Sequence, residues 1–285
     1  MPFKRAFPII TLITVVKNGE SYLAQTIESV VAQSYPNIDY IIIDGGSSDR
    51  TLTIVRKNEE HIAEWISEPD NGIYDAMNKG LSMAHGELIG FLNADDFLEP
   101  DAVENLVEEY RKRNIPGIYY GDTIIHQDDL GVVFPLRAAQ NQYAGMGFCH
   151  PSCLVHREVF EKTGPFDLKY RIASDYDFVL KARSLSVPFF KVDKFIANYR
   201  NTGLTVRNYR LTMSENRRIN SAYYGLVSFP HLIYCISYLR SMVLWSVEKA
   251  IGKIFGENFK KKYKAYFLKK ALGTYPPKNV DSRGP

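Results

Sequence analysis

The sequence predicts an α/β fold, a mostly parallel sheet flanked by helices, and two observations support this. Short β-branched runs alternate with segments of helical spacing along the first half of the chain, as in βαβ units. Several runs also end in acidic residues: Asp44, the pair Asp95 and Asp96, and Asp122. Parallel strands end at one edge of a sheet, where open α/β sheets bind ligands, so we expect Asp44 and Asp95 to face one crevice.

The first half of the chain contains four predicted strands, at residues 9–16, 40–43, 61–67 and 88–92. Helical spacing falls between them, over residues 21–33, 51–60 and 74–84. The fourth run is apolar, as expected of a strand buried on both faces. It stops abruptly in Asn93-Ala94-Asp95-Asp96, which makes this turn the most informative stretch of the chain.

The second half is less regular. We predict helices over residues 101–113, 157–162 and 175–184, and strands over 117–122, 189–192 and 196–199. From residue 210 onward the chain becomes helical, basic and aromatic. The expected organisation is therefore an α/β domain over residues 1–209, with halves at 8–115 and 116–209, and a helical basic extension over 210–285.

The extension favours contact with a membrane surface. Residues 226–247 are largely apolar but contain Pro230, His231 and Arg240. A spanning helix needs ~20 nearly uninterrupted apolar residues, so we expect an interfacial or re-entrant hairpin with Pro230 and Arg240 at its ends. Residues 249–270 hold eight lysines and one glutamate among aromatic residues, which fits an amphipathic helix on an anionic membrane. The alternative is an ordinary helix that packs on the core and exposes its lysines.

Composition excludes some partners and suggests a compartment. A net charge of +3 implies no nucleic-acid partner. The three cysteines form no disulfide or metal framework and point to a reducing compartment. Residues 1–17 lack the charged start, apolar core and cleavage site of a signal peptide. We therefore expect the catalytic part to be cytoplasmic.

The acidic turn suggests metal-assisted phosphate chemistry. Two adjacent carboxylates repel each other, and their hard oxygens suit Mg²⁺ or Mn²⁺ carrying a substrate's phosphates. The alternative is that Asp95 and Asp96 cap a helix beginning near Pro100, and that Asp44 belongs to a plain turn. The motifs G-x-x-x-x-G-K-[ST] and G-x-G-x-x-G are absent, which disfavours a nucleoside triphosphatase or an NAD enzyme.

Further candidates lie in the second half. Asp175 and Asp177 open a predicted helix; an N-cap role explains one acid, and the other can be a general base. His150 is a candidate metal ligand or acceptor contact, although a lone histidine is commonly structural. Arg200 and Arg207 follow the last strand and are candidate phosphate clamps, although surface arginines are commonly just solvated.

Taken in order, these segments resemble family-2 glycosyltransferases of the GT-A type, over about residues 8–205. The segments that carry the resemblance are Thr14-Val15-Val16-Lys17-Asn18, Ile43-Asp44-Gly45-Gly46-Ser47-Ser48-Asp49-Arg50-Thr51, Asn78-Lys79-Gly80, Ala84-His85-Gly86-Glu87, Phe91-Leu92-Asn93-Ala94-Asp95-Asp96, Gly164-Pro165-Phe166-Asp167 and Ser174-Asp175-Tyr176-Asp177. The resemblance implies a Rossmann-like GT-A sheet, a nucleotide-diphosphate sugar donor, a divalent metal (Mn²⁺ or Mg²⁺) and inversion at the anomeric carbon.

The resemblance also implies roles for individual residues. Asp175 matches the general base and Asp95 the metal ligand. The first half then binds the nucleotide sugar and the second half the acceptor. The residues matched to the donor site are Thr14, Val16, Asn18, Glu20, Asp44, Lys79, Asn93, Ala94 and Asp96, and the added candidates for acceptor or phosphate contact are His150, Asp177 and Arg200.

The chain departs from the family pattern at Asn93, Met77 and Ser174. Asn93 stands where Asp is commoner, which places the metal on Asp95 and leaves Asn93 with only a hydrogen-bonding role. Met77 stands where an Arg often precedes Asn78, so that phosphate contact is either missing or supplied by Lys79. Ser174 stands where the family usually has a Glu beside the base. The role of that Glu towards the acceptor is therefore not assigned to any residue of this chain.

The expected function is transfer of a sugar to a hydroxyl of a saccharide, lipid-linked, in surface-polysaccharide or glycolipid assembly, with the enzyme on the inner face of the cell membrane. A nucleotidyltransferase is an alternative, but it needs a Gly-rich phosphate loop with Arg and Lys near the first strand, where only Lys17 stands. A non-catalytic scaffold is a second alternative. Loss of Asp95 or Asp175 would favour it, and both are present.

Overall fold

The computed structural model describes residues 7–139, 146–201, 203, 208–226 and 229–272. Over these residues it contains one nine-stranded sheet with helices packed against it. The strands are β1 (Ile10–Val16), β2 (Ile38–Asp44), β3 (Glu64–Ser67), β4 (Leu88–Asn93), β5 (Phe97–Leu98), β6 (Ile118–Gln127), β7 (Val132–Leu136), β8 (Cys153–His156) and β9 (Phe189–Arg200). The helices are α1 (Leu23–Val31), α2 (Thr51–Lys57), α3 (Ile73–Met83), α4 (Ala102–Arg113), α5 (Arg157–Thr163), α6 (Ser174–Ser184), α7 (Tyr209–Tyr224), α8 (Phe229–Phe255) and α9 (Glu257–Leu272).

The strand order is β3-β2-β1-β4-β8-β6-β9-β5, with β7 paired to β6. Strands β3, β2, β1 and β4 are all parallel. Beyond them the sheet is mixed, because β8 runs antiparallel to both β4 and β6 while β6 and β9 are parallel. The predicted α/β fold is confirmed, with the parallel pairing concentrated in the first half.

The core has two layers, one on each face of the sheet. Alternate side chains of a strand point to opposite faces, so Ile10 and Leu12 pack with α1 and α4, while Ile13 and Val15 pack with α3 and α6. All four are buried. Burial on both faces explains why β1 is a continuous apolar, β-branched run rather than an alternating one.

Two predicted strand boundaries in the second half are wrong. Strand β6 continues to Gln127, so Asp122 lies inside the strand rather than at its end. The two strands expected at 189–192 and 196–199 form the single strand β9. The pairing of β6 with β9 shifts register on both sides of Asp122. This bulge lets the two strands stay paired beyond Asp122. The buried Asp122 carboxylate pairs with Arg137 and accepts the N–H of Ala138 at 2.8 Å.

The C-terminal helices differ from the expected hairpin. Helix α7 packs on α6, with Ile219 fully buried between them. Helix α8 is continuous from Phe229 to Phe255, so the hairpin was wrong. Pro230 lies in its first turn, where a missing N–H costs little, and Arg240 is exposed within it. Among the described residues, we find no helix with the length and apolar character needed to cross a bilayer.

Candidate active site

The expected common edge is present at the ends of β2, β1 and β4. The register pairs Asp44 with Val16 and Asn93 with Val15, so these strand ends are level to within one residue. Neighbouring strands lie ~4.8 Å apart, which places the ends of β2 and β4 about 10 Å from each other. The loops that follow the three strands therefore meet in one crevice.

Asn18 and Glu20 connect the first two of these loops. Asn18 has a left-handed backbone (φ 54°), which Asn tolerates better than most residues. Its N–H donates to Ser47 Oγ at 2.7 Å, and its Oδ1 accepts the N–H of Ser48 at 2.9 Å. Glu20 Oε2 accepts the N–H of Arg50 at 3.1 Å. Both residues thus fix the loop after β1 to the loop after β2, on the side matched to the nucleoside.

Asp44 shapes its own loop. Its fully buried carboxylate accepts hydrogen bonds from the N–H groups of Gly46 (3.1 Å) and Ser47 (3.0 Å) and from the hydroxyls of Ser47 and Ser67. On β1, Thr14 and Val16 are buried as well, and Thr14 Oγ1 accepts from the Tyr40 hydroxyl at 3.0 Å. A direct contact of these three residues with a nucleoside stays a prediction.

Lys79 already has partners. Its ammonium lies 2.8 Å from Glu68 Oε1 and donates to the carbonyl of Pro69 at 3.0 Å. The hydrogen bond to Glu68 is the main cause that raises the pKa of Lys79. A phosphate contact from Lys79 stays a prediction, and it requires this ammonium to exchange Glu68 for the phosphate.

The acidic turn after β4 is held from within. Asp96 is fully buried; its Oδ2 accepts from Asn93 Nδ2 at 3.1 Å and its Oδ1 from the N–H of Arg200 at 3.0 Å. Burial, and next the negative charge of Asp95, raise the pKa of Asp96 well above its usual range. The carbonyls of Ala94 and Asp96 both lie within 2.9 Å of Thr26 Oγ1. Asp95 remains partly exposed beside this fixed frame.

Arg200 supports the same turn from behind. Its guanidinium donates to the carbonyl of Asp95 at 2.7 Å, to Gln25 Oε1 at 2.7 Å and to Asp128 Oδ2 at 3.1 Å. It also stacks over the ring of Tyr22, 4.4 Å from the centroid. These contacts are those of a positioning group, and a phosphate contact from Arg200 stays a prediction. Arg207 lies outside the described residues.

The turn fits a divalent cation. Asn93 Oδ1 is buried and has no hydrogen-bond partner among the described residues, and the Asp95 carboxylate lies two residues further on. No group of three His, Cys, Asp or Glu in the described part of the chain forms a complete metal site. Mg²⁺ is usually held by only one or two carboxylates together with substrate phosphates, so a sparse set of oxygen ligands suits it.

Asp175 lies at the start of α6 and is held by Tyr74 of α3. Tyr74 Oη lies 2.8 Å from Asp175 Oδ1 and 2.8 Å from the carbonyl oxygen of Ile172. Asp175 Oδ1 also accepts the N–H of Tyr176 at 2.9 Å. Burial, and then the charge of Asp175, raise the pKa of Tyr74 well above its usual range, so this phenol remains a donor.

The acidic turn and Asp175 converge although 79 residues separate Asp96 from Asp175. Burial raises the pKa of Tyr199, and the negative charges of Asp96, Asp95 and Asp175 raise it further. One phenol therefore lies within the field of all three carboxylates. His150 belongs to the same region, because the charge of Asp175 opposes the lowering of the His150 pKa by burial.

His150 and Asp177 are placed differently from each other. The His150 ring stacks on Phe91, with centroids 5.4 Å apart, beside Asp175. Asp177 lies two residues beyond Asp175, about 200° around the helix. Its buried carboxylate hydrogen-bonds the Tyr223 hydroxyl of α7, and burial raises its pKa. The structure therefore does not bring Asp177 to the crevice, while His150 stays a candidate acceptor contact.

The comparison with protein families decides the family. The model described as glycosyl transferase family 2 matches residues 11–164, more than half of the chain. The chain belongs to glycosyl transferase family 2. The matched range runs from the second residue of β1 through α5, includes the acidic turn, and ends before Asp175.

Two mycobacterial proteins are similar in sequence to this family-2 glycosyltransferase. An uncharacterized glycosyltransferase of Mycobacterium tuberculosis is 33% identical over 186 residues, covering 64% of this chain and 71% of that protein. A PGL/p-HBAD biosynthesis glycosyltransferase of Mycobacterium bovis is 29% identical over 185 residues, covering 63% of this chain and 71% of that protein.

Solved structures agree in fold. Residues 1–349 of Staphylococcus aureus TarS in complex with UDP-GlcNAc share 14% identity with a TM-score of 0.56, over 94% of this chain and 93% of that chain. The mannosyltransferase PcManGT from Pyrobaculum calidifontis, in complex with GDP-Man and Mn²⁺, shares 14% identity with a TM-score of 0.57, over 94% of this chain and 88% of that chain. The family-2 chain covers 44% of the longer TarS structure. These matches confirm the GT-A-type fold.

Sequence reasoning missed three polar residues of the site. Tyr74 holds Asp175, and Glu215 binds the loop before Asp175. Asp70 contacts the loop after β2 so closely that a Cβ on Gly45 would lie 1.9 Å from Asp70 Oδ2. Asp70 and Tyr74 lie on either side of the Asn71-Gly72 turn. This turn is the feature of the sequence that could have identified them as site residues. Glu215 lay in the predicted extension and gave no signal.

Proposed function

We propose that this protein is an inverting glycosyltransferase that moves a sugar from a nucleotide-diphosphate donor to a hydroxyl of a saccharide acceptor. The observation that carries the proposal is that β2, β1 and β4 end level with one another at the acidic turn. Phe91 of β4 packs 5.2 Å from Phe166, which in turn packs 5.6 Å from Tyr74, the residue that contacts Asp175. The solved structures support the donor class, since TarS is bound to UDP-GlcNAc and PcManGT to GDP-Man.

In this proposal the two sides of the crevice divide the work. The loops joined by Asn18 and Glu20 bind the nucleoside. Asp95 would hold a divalent cation, and Asn93 Oδ1, unpartnered among the described residues, would be a second ligand, a larger role than the hydrogen bond expected of Asn93. The cation would neutralise charge on the leaving diphosphate. Mn²⁺ in the PcManGT complex supports that choice. Arg200 keeps the turn in place through the carbonyl of Asp95.

Asp175 acts as the general base. Its carboxylate takes the proton of an acceptor hydroxyl, and the freed oxygen attacks the anomeric carbon from the face opposite the diphosphate. The new C–O bond forms as the bond to the diphosphate oxygen breaks, so the configuration inverts. Tyr74 orients the base. Holding donor and acceptor together in the geometry for attack is worth ~7–11 kcal/mol in favourable cases.

The C-terminal helices support a lipid-linked acceptor at the cytoplasmic face of a membrane. Helix α8 exposes Leu232, Ile236, Leu239, Val243 and Val247, which recur every three or four residues and so form one stripe. Residues 249–270 carry a net charge of +7 within a chain of +3, so the remainder carries −4. An apolar stripe beside a basic segment matches an anionic lipid surface.

The donor is tested by thermal shift with UDP, GDP, their sugar conjugates and ADP, each with and without Mn²⁺. A ligand that binds the native state raises the melting temperature with the logarithm of its concentration. We expect one nucleobase to stabilise the protein in a metal-dependent way. Asp95→Ala should remove the metal dependence, whereas Asp193→Ala, at an exposed carboxylate of β9, should retain it. The proposal fails if none of these nucleotides shifts the transition.

A further inference from the structure

The helix α7, which the sequence assigned to an extension, reaches the loop in front of the proposed base. Glu215 on α7 is only 3% exposed. Its carboxylate accepts the N–H groups of Arg171 at 2.9 Å, Ile172 at 3.0 Å and Ala173 at 3.1 Å. Hydrogen bonds to an ionised carboxylate are stronger than neutral ones, so one side chain fixes three consecutive peptide groups.

The fixed loop is linked directly to Asp175. The peptide group that joins Ile172 to Ala173 donates its N–H to Glu215 at 3.1 Å, and its carbonyl oxygen lies 2.8 Å from Tyr74 Oη. The same Tyr74 oxygen lies 2.8 Å from Asp175 Oδ1. The Tyr74 hydroxyl has a single proton, and the Ile172 carbonyl and Asp175 compete for it. The position of the carbonyl therefore determines how strongly Tyr74 donates to Asp175.

A second contact ties the same helix to the residue after the base. Asn220 on α7 donates to Tyr176 Oη at 3.2 Å, and its Oδ1 lies 2.9 Å from His231 Nδ1 of α8. Asn220 is fully buried and His231 nearly so. Helix α7 therefore contacts both sides of Asp175 in the sequence.

We propose that Glu215 is a positioning residue for Asp175, acting through the Ile172 peptide and Tyr74, and that α7 belongs to the catalytic centre. This inference rests on the proposed function, in which Asp175 is the base. The other titratable groups that face Asp175 are His150, Cys149, Cys153 and Tyr199, and the charge of Glu215 reaches Tyr74 itself.

The test is a cycle of Glu215→Gln, Tyr74→Phe and the double variant, with kcat, the donor KM and the pH profile of kcat measured for each. Glu215→Gln should lower kcat by up to about 10²-fold, the loss that a small misplacement can cause. The donor KM should stay within about twofold of the parent, because the nucleoside loops are elsewhere. The acidic limb should move to higher pH in Tyr74→Phe, since a carboxylate that loses a hydrogen bond has a higher pKa. In Glu215→Gln it should move to lower pH, because a negative charge near the base is lost and the Ile172 carbonyl no longer competes from a fixed position for the Tyr74 proton.

The double variant tests the shared link. If Glu215 acts through Tyr74, the double variant should lose little more kcat than the more damaged single variant, because coupled residues are not additive. Ile219→Val, in the buried face of the same helix, is the control for stability: it should lower the melting temperature and leave the pH limb in place. Glu215→Asp keeps the charge with a shorter side chain and should shift the limb less than Glu215→Gln.

The outcomes separate this inference from the function on which it rests. An active parent whose Glu215→Gln variant keeps its kcat and its acidic limb would overturn the positioning role alone, and so would fully additive losses in the double variant. A parent that transfers no sugar from any stabilising nucleotide sugar would overturn the proposed function and this inference with it.

Discussion

At the scale of the residue, two adjacent carboxylates have opposite environments. Asp96 is fully buried and hydrogen-bonded to Asn93 and to the backbone of Arg200, and its pKa is raised by burial and by Asp95. Asp95 is partly exposed. Environment rather than residue type divides the roles, which leaves Asp95 as the proposed ligand and Asp96 as part of the frame.

The first prediction concerns the base. Asp175→Asn should lower transfer by roughly 10²–10⁴-fold, the usual contribution of general acid–base catalysis, because the amide cannot accept the acceptor's proton. Donor affinity, measured by calorimetry with Mn²⁺, should persist. Asp177→Asn is the matched control: this carboxylate faces Tyr223 of α7, so its loss should affect stability more than turnover. Near-normal turnover of Asp175→Asn would show that the base is another group.

The second prediction concerns pH and Asp96. Its folded-state pKa is raised, so the stability that this group contributes is complete below its unfolded pKa of ~3.9 and falls as pH rises towards the folded value. Asp96→Asn should remove that decline. In melting scans with EDTA between pH 4 and pH 8, the variant should gain on the parent as pH rises, by ~2–4 °C for each kcal/mol. A constant difference between the two proteins across this range would contradict the assignment.

At the scale of the element, α3 shows how one glycine sets a packing distance. Gly80 lies within the helix, and a Cβ there would be 2.4 Å from Ile13 Cγ2 on β1. Glycine in a helix normally costs about 0.5–1 kcal/mol relative to alanine. The close approach of α3 to the sheet offsets that cost through buried packing against β1. Tyr74, six residues earlier on the same helix, contacts Asp175.

The third prediction follows from this contact. Gly80→Ala should destabilise the protein by ~1–2 kcal/mol, because overpacking of about 1–3 kcal/mol exceeds the gain in helix propensity. Ser82→Ala, at an exposed position of the same helix, should be neutral or slightly stabilising. Urea unfolding measures both. A stabilised Gly80→Ala variant would show that β1 relaxes away from α3 without cost.

The elements of the second half show why some boundaries were not predictable. The strand predicted over residues 117–122 was expected to end at Asp122, but a Cβ on the neighbouring Gly121 would be 2.5 Å from Ile196 Cγ1. The glycine therefore permits a close crossing with β9 inside the strand. Close contact between residues 75 apart leaves no periodic signal, whereas the buried β-branched runs of β1, β2 and β4 do.

At the scale of the whole molecule, the C-terminal helices combine a packed side and an exposed side. Helix α7 is bound to the domain through Glu215 and Ile219, while α8 exposes Leu239 and Val243 to about 60%. Contiguous apolar exposure of this kind marks an interaction surface. The boundary expected at residue 210 therefore falls just before a helix, α7, that packs against the catalytic domain. Helix α8 retains the exposure expected of the extension.

The fourth prediction tests that surface. Leu239→Glu with Val243→Glu should abolish sedimentation of the protein with vesicles of anionic phosphatidylglycerol, because two charges enter the apolar stripe. Binding of the parent should weaken with salt, since its lysines contribute electrostatically. Leu185→Glu, at a leucine 49% exposed after α6, should leave binding intact. If the double variant instead dissociates a dimer of the parent, the stripe is an interface between two copies of the chain.

The sequence alone determined the α/β class, the shared edge of the strand ends and the ordered motifs of the family, because buried strands and acidic turns leave local patterns. Only the tertiary structure decided which carboxylate is buried in the frame, that Tyr74 holds Asp175, and that Glu215 reaches the loop before it. The burial of Asp96 depends on β9 and α1 meeting the turn, and the other two facts depend on α3, α6 and α7 meeting at one place. Contacts between distant segments are set by packing rather than by local sequence.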